Sequence, residues 1–128
     1  MSEDGKFQKT VCVDFDGVLH SYRSGWQGAG VVSDEPSHGA IEWLRELALD
    51  PRFEVCIYSS RSKTPEGIGA MQQWLVSHGL PHGMAYGLLR FPSQKPPAWV
   101  TIDDRCIPYQ GSFPELDTID NFAPWKAP

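Results

Sequence analysis

Residues 10–15, Thr-Val-Cys-Val-Asp-Phe, and residues 53–60, Phe-Glu-Val-Cys-Ile-Tyr-Ser-Ser, are short apolar runs, each ending in polar side chains. Valine-rich runs of this length, with little alternation of polarity, are the mark of strands buried on both faces of a parallel sheet. Parallel neighbours need crossovers, and the chain supplies helical patterns between its apolar runs. Residues 36–49 put Ile41, Leu44, Leu47 and Ala48 on one helical stripe with Trp43 beside it. Residues 64–79 predict a second helix, with Thr64 as N-cap, Pro65 in the first turn and Gly79 as the stop. Gly-Met-Ala-Tyr-Gly-Leu-Leu at 83–89 predicts a short third strand, and Ala-Trp-Val-Thr-Ile-Asp-Asp at 98–104 a fourth. This alternation is the pattern of an open α/β sheet with right-handed crossovers. The stretch from about 107 to 128 holds four prolines and reads as a loop-rich wrap with at most a short strand or helical turn.

A chain of 128 residues is expected to form a single domain with a real hydrophobic core. No apolar run approaches the roughly 20 residues of a membrane helix, and the first ten residues carry no signal-peptide stretch, so a cytoplasmic protein without membrane partners is expected. Cys12, Cys56 and Cys106 have no Cys-x-x-Cys spacing and are read as reduced core thiols. His20, His38, His78 and His82 show no ligand spacing and are read as surface or packing residues. A net charge of −5 argues against a broad nucleic-acid footprint, while leaving room for a local basic group that holds one phosphate.

In open parallel sheets ligands bind beyond the carboxyl ends of the strands. Asp14 and Asp16 end the first strand, Ser59 and Ser60 the second, and Asp103 and Asp104 the fourth, so the three groups are expected to meet at one edge. Four converging carboxylates repel one another unless a cation neutralises them. Hard oxygen ligands with room for water favour magnesium.

The stretches Asp-Phe-Asp-Gly-Val-Leu (14–19), Ile-Tyr-Ser-Ser-Arg (57–61), Lys95-Pro96 and Thr-Ile-Asp-Asp-Arg (101–105) resemble, in order, the four motifs of the haloacid dehalogenase superfamily. Most of its members are magnesium-dependent phosphohydrolases. The resemblance covers roughly residues 10–106, and the chain is similar to the short members found in bacteria and their phages. It implies a three-layer, Rossmann-like α/β fold.

It also implies roles. Asp14 is then the nucleophile that attacks phosphorus, and it binds magnesium through its second oxygen. Asp16 is the general acid to the leaving oxygen, then the base for the hydrolytic water, and its backbone carbonyl is a metal ligand. Gly17 permits the sharp turn that exposes this carbonyl. Ser59 holds a phosphoryl oxygen, with Ser60 as the alternative. Arg61 either touches phosphate or caps a neighbouring acid. Lys95 offsets charge on nucleophile and phosphoryl group, with Lys63 as its rival. Asp103 contacts magnesium directly or through water, and Asp104 shares that task or orients Lys95.

Relatives carry substrate-selecting cap domains between the first strand and first helix or before the last strand. Here the insert at 20–35 is long enough only for a flap, so a capless, open site is expected. Such a site suits bulky phosphate esters, including nucleotides and nucleic-acid ends. Trp26 either stacks on a base or sugar or folds the flap onto the core. The alternative to an enzyme is a non-catalytic module that binds phosphate or magnesium. Neither the physiological substrate nor the oligomeric state is legible.

Overall fold

The computed structural model describes residues 8–98, 100–102 and 111–121. Three parallel strands form the sheet: β1 (Lys9–Asp14), β2 (Phe53–Tyr58) and β3 (Val100–Ile102), in the order β2-β1-β3. β1 is therefore central, with Asp14 opposite Tyr58 on one side and Val13 opposite Ile102 on the other. The crossovers contain α1 (Ala40–Leu49) and α2 (Pro65–Ser77). The architecture is mixed α/β. Among the described residues, no helix is long and apolar enough to cross a membrane.

Side chains alternate across a strand, and the two faces of this sheet are covered differently. Val11, Val13, Val55, Ile57 and Ile102 join Leu44 and Leu47 of α1 and Met71 and Leu75 of α2 in one apolar core. The opposite face carries Thr10, Cys12, Asp14, Glu54, Cys56, Tyr58 and Thr101, and the irregular segment around Arg90–Pro97 lies over it. Cys12 and Cys56 are register partners on this face, and both are buried. Burial pushes the Cys56 thiol up, which keeps it protonated and unreactive.

The α2 boundaries follow the local chemistry. Thr64 accepts a hydrogen bond from the Gly67 N–H at 3.1 Å, Pro65 opens the helix, and Gly79 ends it with a positive φ of 108°. Gly67 is buried where a Cβ would run into the carbonyl oxygen of Arg61. Gly67→Ala is therefore expected to destabilise the fold by about 1–3 kcal/mol, as overpacking does. An unchanged denaturant midpoint would contradict this contact.

The expected third strand at 83–89 is not one. Met84–Leu88 form a single wide helical turn, closed by the Leu89 N–H on the Met84 carbonyl at 2.9 Å. Met84, Ala85 and Leu89 are buried while Tyr86 and Leu88 are half exposed, a helical rather than alternating pattern. Short apolar runs do not distinguish the two by periodicity. Sheet pairing starts one residue later, where Arg90 bridges the outer edge of β2: its N–H donates to the Val55 carbonyl at 3.0 Å, and its carbonyl accepts from Ile57 at 2.8 Å.

In the C-terminal stretch, α3 (Leu116–Asp120) is one short helix. Phe113 stacks on Trp43 at 4.7 Å, the Trp43 indole N–H donates to the Pro114 carbonyl at 2.9 Å, and Lys9 pairs with Asp120 at 2.9 Å.

Candidate active site

The carboxyl ends of β1 and β2 open into a cavity of about 220 Å³ lined by Cys12, Asp14, Tyr58, Ser59, Ser60, Lys95 and Thr101. Residues far apart in sequence thus share one small polar space. Asp14 reaches it as the last residue of β1, and the Phe15 N–H donates to its Oδ1 at 2.8 Å. Lys95 enters from the segment over the polar face of the sheet. Lys63 is exposed at the end of the short helical turn Ser60–Lys63 and does not line the cavity.

The two serines differ. Ser59 caps the Ser60–Lys63 turn: its hydroxyl accepts from the Arg61 N–H at 3.0 Å and lies 3.6 Å from the Met71 sulfur, while its own N–H donates to Ser62 Oγ at 3.0 Å. Ser59 is buried by this arrangement, whereas Ser60 is exposed at the cavity.

Asp16 does not line the cavity; its carboxylate is held elsewhere. Arg61 Nε donates to both of its oxygens at 3.0 and 3.2 Å, and His20 Nδ1 lies 2.9 Å from Oδ1. Arg61 is completely buried. Its Nη1 donates to the carbonyls of Gly28, Ala29 and Val31, tying the flap to the turn after β1. The guanidinium also stacks 5.1 Å from the Trp26 ring centroid, leaving Trp26 about half exposed at 51%. Arg61 is thus an acid-capping arginine in this conformation. Gly17 has a φ of 82°, the left-handed conformation needed for the tight turn between Phe15 and His20.

Tyr58, Thr101 and Cys12 were missed as lining residues, although counting back two from Asp14 and across the register reaches all three. His20, expected at the surface or in packing, is buried, and both ring nitrogens have polar partners. No spacing rule flags such a histidine.

Asp103 and Asp104 lie outside the described residues. Among the described residues, no group of three acids, histidines or cysteines is placed to hold a metal ion. The described part of the cavity does offer hard oxygen donors, the Asp14 carboxylate and the Ser60 hydroxyl, a chemistry that fits magnesium when further carboxylates complete it.

A larger cleft of about 530 Å³ lies between the flap and α2, lined by Asp34, Glu35, Trp74 and His78 among others. There Trp74 donates to the Asp34 carbonyl at 2.8 Å, and Ser24 donates to the Asp34 carboxylate through its N–H and hydroxyl. Those two bonds hold the Asp34 carboxyl below its usual range. The smaller cavity, which brings Asp14, Ser60 and Lys95 together, is the better candidate. Comparison with known proteins finds no matching family model, curated protein or solved structure.

Proposed function

We propose that this chain is a capless, cytoplasmic phosphomonoesterase of haloacid dehalogenase type, a single domain with the Rossmann-like fold of that superfamily, working through a phosphorylated Asp14. The observation that supports this most is the meeting of Asp14, Ser60 and Lys95 in one cavity at the carboxyl edge of a parallel sheet. In this reading an Asp14 oxygen attacks phosphorus, and the ester oxygen departs with a proton from Asp16, whose carboxyl would first have to leave Arg61 and His20 and turn into the cavity. Ser60 and the adjacent backbone hold a phosphoryl oxygen, with Ser59 bracing the turn beneath them. Lys95 balances negative charge in the transition state. Asp14, the Asp16 carbonyl, Asp103 and Asp104 would hold magnesium, which supplies charge neutralisation between the nucleophile and the phosphoryl oxygens. The engagement of Asp16 by Arg61 and His20 favours a second reading, a phosphate-binding module without turnover.

A panel of phosphate esters assayed with magnesium decides between them. Hydrolysis of an aryl phosphate supports the enzyme, and binding of phosphate without hydrolysis supports the module. Within the panel, nucleoside phosphates and phosphorylated nucleic-acid ends are expected to show higher kcat/KM than sugar phosphates. The half-exposed Trp26 offers a stacking surface, and such a contact is worth about 1–3 kcal/mol per base. Trp26→Ala should then raise KM for the nucleotide and leave the aryl phosphate nearly unchanged. Equal weakening of both would make Trp26 a brace of the flap.

Lys95→Ala is expected to lower turnover about 10²-fold, the typical loss when one preorganised group is removed from a transition-state clamp. Lys63→Ala should be mild, since Lys63 stands outside the cavity. The reverse ranking would move the role to Lys63.

A further inference from the structure

We infer that Lys63 holds a second phosphate of the substrate, so that a phosphorylated end of a single-stranded nucleic acid is preferred over a mononucleotide, an inference that rests on the phosphatase reading above. The segment Ser60–Lys63 is a 3₁₀ turn. Side chains three residues apart eclipse in such a turn, and each residue advances about 2 Å, so Lys63 stands on the same face as Ser60 and about 6 Å further along. Exposure follows that period: Ser60 and Lys63 are exposed, while Arg61 and Ser62 between them are fully buried. The face that presents the Ser60 hydroxyl to the cavity therefore continues to the Lys63 ammonium. Ser59 and Ser62 brace the turn from beneath by reciprocal bonds between side chain and backbone.

The buried Arg61 of the same turn carries the half-exposed Trp26 ring at 5.1 Å. A hydroxyl at the cavity, an aromatic ring and an ammonium thus gather around one turn, the combination of stacking surface and backbone cation that holds single strands. The ammonium is open to an anion. Arg23, Arg52 and Arg90 are paired with Glu35, Asp50 and Glu54, whereas Lys63 has no ion-pair partner among the described residues. A net charge of −5 disfavours a long polyanion track, so the contact reaches one phosphodiester beyond the cavity and no further.

Substrate length and salt test the assignment. The wild type, Lys63→Ala and Lys63→Arg are assayed with magnesium on an aryl phosphate, a nucleoside monophosphate, and a trinucleotide of the same base phosphorylated at its 5′ or its 3′ end. At low salt the trinucleotide is expected to exceed the mononucleotide in kcat/KM by about 5-fold, the worth of one exposed ion pair, and an advantage at either end supports the inference. The fall of log kcat/KM with log salt should be steeper for the trinucleotide by about 0.7, the slope of one further phosphate contact on a single strand. Lys63→Ala should remove both differences, and Lys63→Arg should keep them. Equal kcat/KM for trinucleotide and mononucleotide overturns the inference, as does a Lys63→Ala loss of the same factor on aryl phosphate and trinucleotide. A phosphopeptide of equal charge that depends on Lys63 as strongly as the trinucleotide also overturns it. If the wild type hydrolyses none of these esters, the phosphatase reading falls and the inference with it. If it hydrolyses the aryl phosphate and length brings no advantage, the inference alone falls.

Discussion

Asp14→Asn is expected to reduce turnover of an aryl phosphate to background and to abolish any phosphoenzyme. The side chain keeps its shape, and its remaining oxygen can still accept the Phe15 N–H that meets Oδ1 at 2.8 Å in the native chain. What is lost is the anionic nucleophile, since an amide oxygen forms no stable phosphoryl intermediate. The fold should survive, so a melting temperature near that of the wild type is part of the expected result. Asp16→Asn differs in both respects. Its chemical cost should be smallest on aryl phosphates, whose leaving groups need little protonation. Its structural cost is larger, because the buried Arg61 guanidinium loses its counter-charge, and breaking such a pair costs about 3–5 kcal/mol. Equal losses on aryl and alkyl esters at matched folding would contradict the acid–base role of Asp16.

Removal of divalent cations is the second large effect. Excess chelator is expected to abolish hydrolysis, and added magnesium to restore it, because the nucleophile and the phosphoryl oxygens carry like charge in the same small cavity. Calcium should inhibit rather than replace magnesium, since its looser and higher coordination misplaces the attacking oxygen. A magnesium-dependent rise in melting temperature that Asp14→Asn weakens would locate the ion independently of turnover. Full activity in chelator would remove the metal from the account.

The helices and the two longer strands were legible because their signals are local. Thr64, Pro65 and Gly79 each obey the chemistry of a helix end, and the valine-rich run of β1 leaves little choice but a buried central strand. The parallel topology then carried Asp14 and Ser60 to one edge without further information. Lys95 differs: it sits in an irregular segment with no periodicity, and only the resemblance of its motif singled it out. The run at 83–89 failed because seven apolar and glycine residues satisfy strand and helix alike, and the burial of Met84, Ala85 and Leu89 that decides the matter comes from tertiary packing. The Asp16–Arg61–His20 network was out of reach for a related reason. Residue type shows that Arg61 must find an acid, but only the fold shows that one guanidinium joins the turn after β1, three flap carbonyls and the Trp26 ring.

Whether phosphate passes through Asp14 can be read by chemical trapping. Borohydride reduces an acyl phosphate to an alcohol, so a phosphorylated aspartate becomes homoserine. Wild-type protein turning over an aryl phosphate with magnesium is quenched, reduced and digested, and its peptides are sequenced by mass spectrometry. Homoserine is expected at position 14 and at no other aspartate, with none formed when chelator replaces magnesium. Homoserine at another position, or steady turnover with no reduced residue at position 14, would contradict it.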